Sequence, residues 1–382
     1  MTQPTQPNSL SQNSEMPTSS QISATKDDCA QVLSAWRYGL RPDKPTHDIS
    51  REEAIARLVE LGQSTAPAFG IEPETYPDWV DQQLDGYDDF FESFCGLCQN
   101  SLKISPYPVS TLWSFWMPLA WRLEQLRNQS DRPIIQGILG GQGTGKTTLA
   151  LVLTALLEHR GYRVCGVSID DLYKTYAERQ ALMQVEPRLR WRGPPGTHDV
   201  ELGLQVLRQF KQGDNQALIE VPRFDKSLHG GEGDRIAPEQ VEAADIILFE
   251  GWFVGARPID PAAFDTAPPP IQAESDRQFA RSMNERLRDY LPLWNELDSL
   301  MVLYPSDYRL SQQWRQQAEH KMKATGKSGM SDEDIQAFVE YFWRSLHPEL
   351  FITPLLSQPE WVDLVVEVNS DRSIRTIYQP EA

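Results

Sequence analysis

Cysteine is scarce: Cys29, Cys95, Cys98 and Cys165 are the only four in 382 residues. So few cannot staple a chain of this length, and a reducing compartment is expected. Cys95 and Cys98 form a C-x-x-C, but no second pair follows at zinc spacing. Two small apolar residues one helical turn apart account for it. Basic blocks are missing as well. Lys and Arg number 36 against 54 Asp and Glu, a net charge of −18 that repels nucleic acid. Long apolar runs are also absent. The nearest, TLWSFWMPLAW (111–121), is interrupted by Ser114 and Pro118 and falls short of a membrane span. Neither nucleic acid nor membrane is therefore an expected partner. Residues 1–28 have no apolar centre and no arginine, which argues against a secretory signal or transit peptide. Their composition is that of a disordered tail, and a cytoplasmic location is expected. The sequence carries no sign of oligomeric state.

What remains is enough for one large α/β domain with an appended helical region, since 40% of the residues are hydrophobic. Residues 29–130 lack the period-2 pattern of strands. Leu112, Trp116, Leu119, Leu123 and Leu126 recur at helical spacing, and Pro118 is expected to start or kink that helix. From 131 to 382 apolar strands alternate with helices. Strands are expected at 134–139, 163–169, 217–222, 245–250, 299–304 and 363–368, with a Pro-rich surface loop at 261–276 and a long helix over about 275–297. The alternation predicts a doubly wound, mostly parallel sheet.

One stretch decides the chemistry. GILGGQGTGKTTLA (137–150) fits G-x-x-x-x-G-K-[ST] through Gly140, Gly141, Gln142, Gly143, Thr144, Gly145, Lys146 and Thr147, with Thr148 following. Such a loop points successive N–H groups inward as an anion nest, and the helix behind it adds its positive end. Lys146 is expected on the β- and γ-phosphates of ATP, and the Thr147 hydroxyl on Mg²⁺. The motif predicts nucleotide binding, not the reaction.

Ligands in such sheets bind at the carboxyl ends of the strands. The second strand ends in SIDDLYK, offering Asp170, Asp171 and Lys174. Two adjacent carboxylates point apart, so one of them is the candidate base for an attacking hydroxyl. DIILFEG ends at Glu250, an acid after four apolar residues, suited to a Mg²⁺ site together with Thr147 and Asp170. RLRWRGPPGTHD supplies Arg192, His198 and Asp199, and VPRFDKSLHGGEGDR supplies Arg223, Asp225, Lys226, His229 and Arg235. Cations among glycines suit a loop closing on a small anion. Arg309, Arg315, Lys321, Lys323 and Lys327 gather in 306–330, a candidate lid.

With these motifs in order from about 137 to 340, the chain resembles the plant and cyanobacterial type of D-glycerate 3-kinase. That family is related to uridine kinase, pantothenate kinase and phosphoribulokinase. PRFDKS, FEGW and WRQQAEHKM are the particular pieces. The resemblance implies a P-loop kinase fold, ATP and Mg²⁺ as cofactors, and transfer of the γ-phosphoryl group to D-glycerate in photorespiratory salvage. It implies Asp170 as base, Glu250 as the Walker B acid, Asp199 and the PRFD segment on the acceptor, and Arg315 as a catalytic lid residue. Among Arg192, Arg223, Lys226 and Arg235 it selects no carboxylate binder; Arg223 is the first choice. The rivals are a nucleoside or another hydroxy acid as acceptor, and a nucleotide-dependent switch. The N-K-x-D of a guanine switch is absent.

Overall fold

The computed structural model describes residues 28–37, 49–212, 218–324 and 329–381. Most of the tail expected over 1–28 lies outside them. Contacts divide the chain into two compact units, Met1–Leu61 and Gly62–Ala382. In the first, helix α1 covers 28–37. Helix α2 (Arg51–Gly62) runs to the boundary, with Ala54 and Leu58 buried.

The second unit joins helices expected to stand apart with the sheet behind them, so contacts do not divide at 130. Helix α3 (Tyr76–Leu97) and helix α4 (Met117–Asn128) pack on the helix that follows the P-loop, α5 (Lys146–His159). There Arg160 donates to Glu124 at 2.7 Å and to Gln83 at 2.8 Å. Pro118 follows a π-helical stretch, Leu112–Trp116, so the helical backbone is irregular where the proline withholds its N–H.

Six strands form the central sheet: β1 (Ile134–Gly140), β2 (Val164–Ser168), β5 (Ile246–Gly251), β6 (Ser299–Pro305), β7 (Leu364–Val368) and β8 (Ile374–Tyr378), in the order β2-β5-β1-β6-β7-β8. All pairings are parallel except β7 with β8. β1 is buried at every position because helices cover both faces. Its neighbours in the core come, after α6 (Tyr176–Val185) in the chain, from α7 (Val200–Gln212) through Leu207 and Phe210, and from α8 (Glu274–Arg286) through Ala280. α5 presents Leu149, Val152, Leu153, Leu156 and Leu157 as one buried stripe.

Two expectations need correction. The segment 217–222 is not a strand of the central sheet. Its described part belongs to β3 (Ile219–Asp225), which pairs only with β4 (Asp234–Val241) in a separate antiparallel hairpin. The long helix over 275–297 is broken: α8 stops at Arg286, a 3₁₀ turn covers Leu287–Tyr290, and a short helix Leu291–Trp294 follows. Pro292 lacks the N–H that would have continued α8. Among the described residues no helix is long and apolar enough to cross a membrane, and no disulfide joins the four cysteines.

Candidate active site

The P-loop leaves β1 at Gly140 and enters α5, whose N-cap Gly145 holds φ +97°, a left-handed conformation that glycine adopts without strain. Gly143 also has positive φ, and a Cβ there would lie 2.5 Å from Trp314 Cβ. Trp314 belongs to helix α9 (Leu310–Ala324), which therefore packs directly on the loop. Thr144 Oγ1 donates to the Gly141 carbonyl at 2.9 Å, and Lys146 Nζ donates to the same carbonyl at 3.0 Å. Burial pulls the Lys146 pKa below the ordinary lysine value, against the charges of Glu250 and Asp170. Arg372, from the β7–β8 turn, donates to the Gly143 carbonyl at 3.0 Å and lies over the Trp314 ring. No motif marked Arg372 in the sequence.

The two aspartates after β2 do different things. Asp171 accepts from the Ser168 N–H at 3.1 Å while Ser168 Oγ accepts from Asp170 N–H, a reciprocal cap of the short 3₁₀ turn. Arg223 holds the same carboxylate at 3.1 Å. Asp170 faces the other way. Tyr173 Oη donates to its Oδ1 at 2.8 Å, and Lys226 Nζ to its Oδ2 at 2.6 Å. Burial opposes its ionisation, but the Lys226 charge and these two hydrogen bonds outweigh burial and hold the carboxyl below its ordinary pKa. That contribution to stability is present above the ordinary carboxylate value and lost only as pH falls through the lowered one.

The hairpin β3–β4 brings the acceptor-side cations over Asp170, though most are tied to protein. Arg223, the first choice for a substrate carboxylate, bonds Asp171, Glu239 and the Gly166 carbonyl. Arg235 donates to the Tyr173 carbonyl and pairs with Asp199, whose other oxygen caps α7 at Leu202. Arg192 holds the carbonyls of Gly231 and Glu232, and Arg179 those of Glu232 and Gly233. Asp225 caps Ser227, and His229 pairs with Asp234. Lys226 is the cation that reaches the base, while the Lys174 charge disfavours protonation of His198. Tyr173 and Arg179 carry no motif, although a tyrosine three residues after Asp170 is within reach of its carboxylate.

The lid region is helical from Leu310. Arg315 turns to Glu319 at 3.3 Å and lies over the Phe338 ring of α10 (Asp332–Ser345). Arg309 pairs with Asp307, Lys321 is exposed, and Lys323 donates to the Met330 carbonyl. Lys327 lies outside the described residues.

For Mg²⁺ the donor chemistry fits in part. Glu250 sits in register with Ser168 and Ile138, at the carboxyl end of the sheet, and Thr147, the second residue of α5, is exposed. One hydroxyl and one carboxylate suit a hard cation that takes its other ligands from phosphate and water. Asp170, expected as a third ligand, has both oxygens engaged by Tyr173 and Lys226. Among the described residues no group of three or more His, Cys, Asp or Glu could hold a metal by itself.

No protein-family model matches the chain. Known proteins do. An uncharacterized kinase, mug58, of Schizosaccharomyces pombe is 35% identical over 228 residues, 58% of this chain and 82% of that one. The chloroplastic D-glycerate 3-kinase of Arabidopsis thaliana is 28% identical over 360 residues, covering 88% and 76%. The solved D-glycerate 3-kinase of Cryptococcus neoformans superposes with a TM-score of 0.63 at 30% identity, covering 69% of this chain and 98% of its own. The chain belongs to the D-glycerate 3-kinase family of P-loop kinases. This family member is thus an ATP-dependent phosphotransferase. Its P-loop, Asp170 and Glu250 converge at the carboxyl ends of β1, β2 and β5, where a doubly wound kinase does its chemistry.

Proposed function

We propose that the kinase phosphorylates the primary hydroxyl of D-glycerate, giving 3-phosphoglycerate and ADP. One observation carries the reading: Lys226 Nζ lies 2.6 Å from Asp170 Oδ2, beside the P-loop lysine. Lys226 sits at the start of the hairpin turn with its side chain 59% exposed, so it is free to exchange partners. A substrate carboxylate would draw Lys226 from Asp170, free Oδ2 and raise the basicity of the aspartate. Asp170 then takes the proton of the C3 hydroxyl as that oxygen attacks the γ-phosphorus in line. Lys146 and the P-loop N–H groups hold the charge on the transferring oxygens. Thr147 and Glu250 would hold Mg²⁺ together with the phosphates, and the ion would supply further neutralisation. The two relatives named D-glycerate 3-kinase support the choice of acceptor. In a photosynthetic cell this activity would salvage photorespiratory glycerate.

The aromatic side chains around Asp170 also favour a compact acceptor over a nucleoside. His198 stacks on Tyr173 with centroids 4.6 Å apart, and Arg179 and Arg192 lie over Phe224. Their partners are protein groups, so they offer a base no ready stacking platform.

Glycerol has the hydroxyls of glycerate without the carboxylate and would leave Lys226 on Asp170. Lys226 then keeps its protein partner, so what is lost is the substrate's own bond to a charged group, about 1.5–3 kcal/mol. Glycerol is therefore expected to be worse by roughly 10- to 150-fold in kcat/KM. Lys226→Met should erase most of that discrimination, whereas Arg223→Ala should retain it. Steady-state rates on D-glycerate, glycerol and uridine check this. Comparable rates on glycerol, or a preference for uridine, would remove the glycerate reading.

A further inference from the structure

His198 has a buried nitrogen without a partner. The residue is 2% exposed, and among the described residues Nε2 has no hydrogen-bond partner. Such an atom is costly unless something meets it. Its surroundings are built. The backbone of 197–199 zips onto that of 172–174: Lys174 N–H donates to the Thr197 carbonyl at 3.0 Å, and Asp199 N–H to the Leu172 carbonyl at 2.7 Å. This lays the imidazole on the Tyr173 ring, whose hydroxyl holds Asp170. The charges of Asp170 and Lys174 both act on it.

The other nitrogen fixes the proton. His198 Nδ1 lies 2.7 Å from Tyr290 Oη, and Tyr290 Oη already accepts from the Gly196 N–H at 2.9 Å. The phenolic hydrogen then finds its acceptor in Nδ1; no other is in hydrogen-bond reach among the described residues. A neutral imidazole that accepts at Nδ1 carries its hydrogen at Nε2. Burial keeps the ring neutral, pulling its pKa down to about 3. Nε2–H is thus a fixed, uncharged donor on a ring stacked against the tyrosine that holds the base.

We propose that His198 determines acceptor specificity by donating Nε2–H to the oxygen on the carbon next to the one phosphorylated, the 2-hydroxyl of glycerate. This rests on the acceptor reading above, in which Lys226 takes the carboxylate and Asp170 the reactive hydroxyl. Three groups on three carbons would then read the substrate's handedness. Tyr290 is a positioning residue that acts through the tautomer.

The test compares D-glycerate with 3-hydroxypropanoate, which keeps the carboxylate and primary hydroxyl but lacks the 2-hydroxyl. His198→Phe keeps an aromatic ring on Tyr173 and removes the donor. It should lower kcat/KM for D-glycerate by roughly 10- to 100-fold, with the KM for ATP unchanged. The same change should leave 3-hydroxypropanoate turnover nearly unaffected. Tyr290→Phe, which keeps His198, should show the same selective loss, smaller and mainly in the acceptor KM. It decides the matter if His198→Phe does not fold. Equal losses on both acceptors, or D-glycerate kinetics within twofold of wild type, would show that Nε2 meets only a buried water and would overturn the proposal. A wild type that ignores D-glycerate is a separate failure, of the acceptor reading. His198 is then judged on whichever vicinal diol the enzyme phosphorylates, against its deoxy analogue.

Discussion

Lys146→Ala should lower kcat by roughly 10²- to 10³-fold, the scale on which oxyanion-type donors act, and leave the fold intact. Lys146 is the first residue of α5, and the five buried residues that anchor this helix begin only at Leu149. Its ammonium bonds one carbonyl of the P-loop and is otherwise committed to no protein partner in the described hydrogen bonds and ion pairs. Truncation therefore removes a charge positioned for phosphate, not a piece of the core. That charge matters most as negative charge spreads over the transferring oxygens, so kcat suffers more than the KM for ATP. Thermal melting should match the wild type within a few degrees. A correctly folded variant within a few-fold of wild-type turnover would falsify the nucleotide-site assignment.

The paired aspartates should separate in the opposite sense in two measurements. Asp170→Asn removes the base and should lower kcat by roughly 10²-fold or more at saturating ATP and acceptor. Asp171→Asn should be milder in kcat and worse in stability. Its carboxylate caps the turn at Ser168 and holds Arg223, and loss of such a cap costs about 0.5–2 kcal/mol. Melting curves and kcat for both variants decide the matter. The reverse order in kcat would move the base to Asp171.

The residues alone left the choice between the two acids open, and the resemblance named Asp170. The cap made by Asp171 does have a local sign, since Ser168-Ile169-Asp170-Asp171 is S-x-x-D at capping-box spacing. The P-loop and the apolar strands were legible for a similar reason: each is specified by neighbours in the chain. The hairpin was not. ALIEVP has the same short apolar run as a core strand, and its partner, β4, is mostly exposed and contains Pro238, so nothing marks it as a strand. β8 hid likewise as a polar edge strand. Arg223 and Lys226 are three residues apart on one segment, and only the pairing with β4 decides which reaches Asp170. Arg372 is far from the loop in sequence, brought to it by a turn between two strands.

Because β3 and β4 share no pairing with the central sheet, Lys226 rides on a ribbon of its own. The P-loop, Asp170 and Glu250 all belong to the sheet and its strand ends. In the proposed reading, the contact to the acceptor carboxylate is thus carried by a different piece of backbone from the P-loop. Arginine side chains of Arg179 and Arg192 rivet the ribbon's tip through its carbonyls, bonds that do not depend on which side chains the tip displays. The turn after Asp225 can therefore be re-lettered without touching the P-loop backbone, but any replacement of Lys226 also resets the charge that holds Asp170. For engineers, the same short turn is the place to begin.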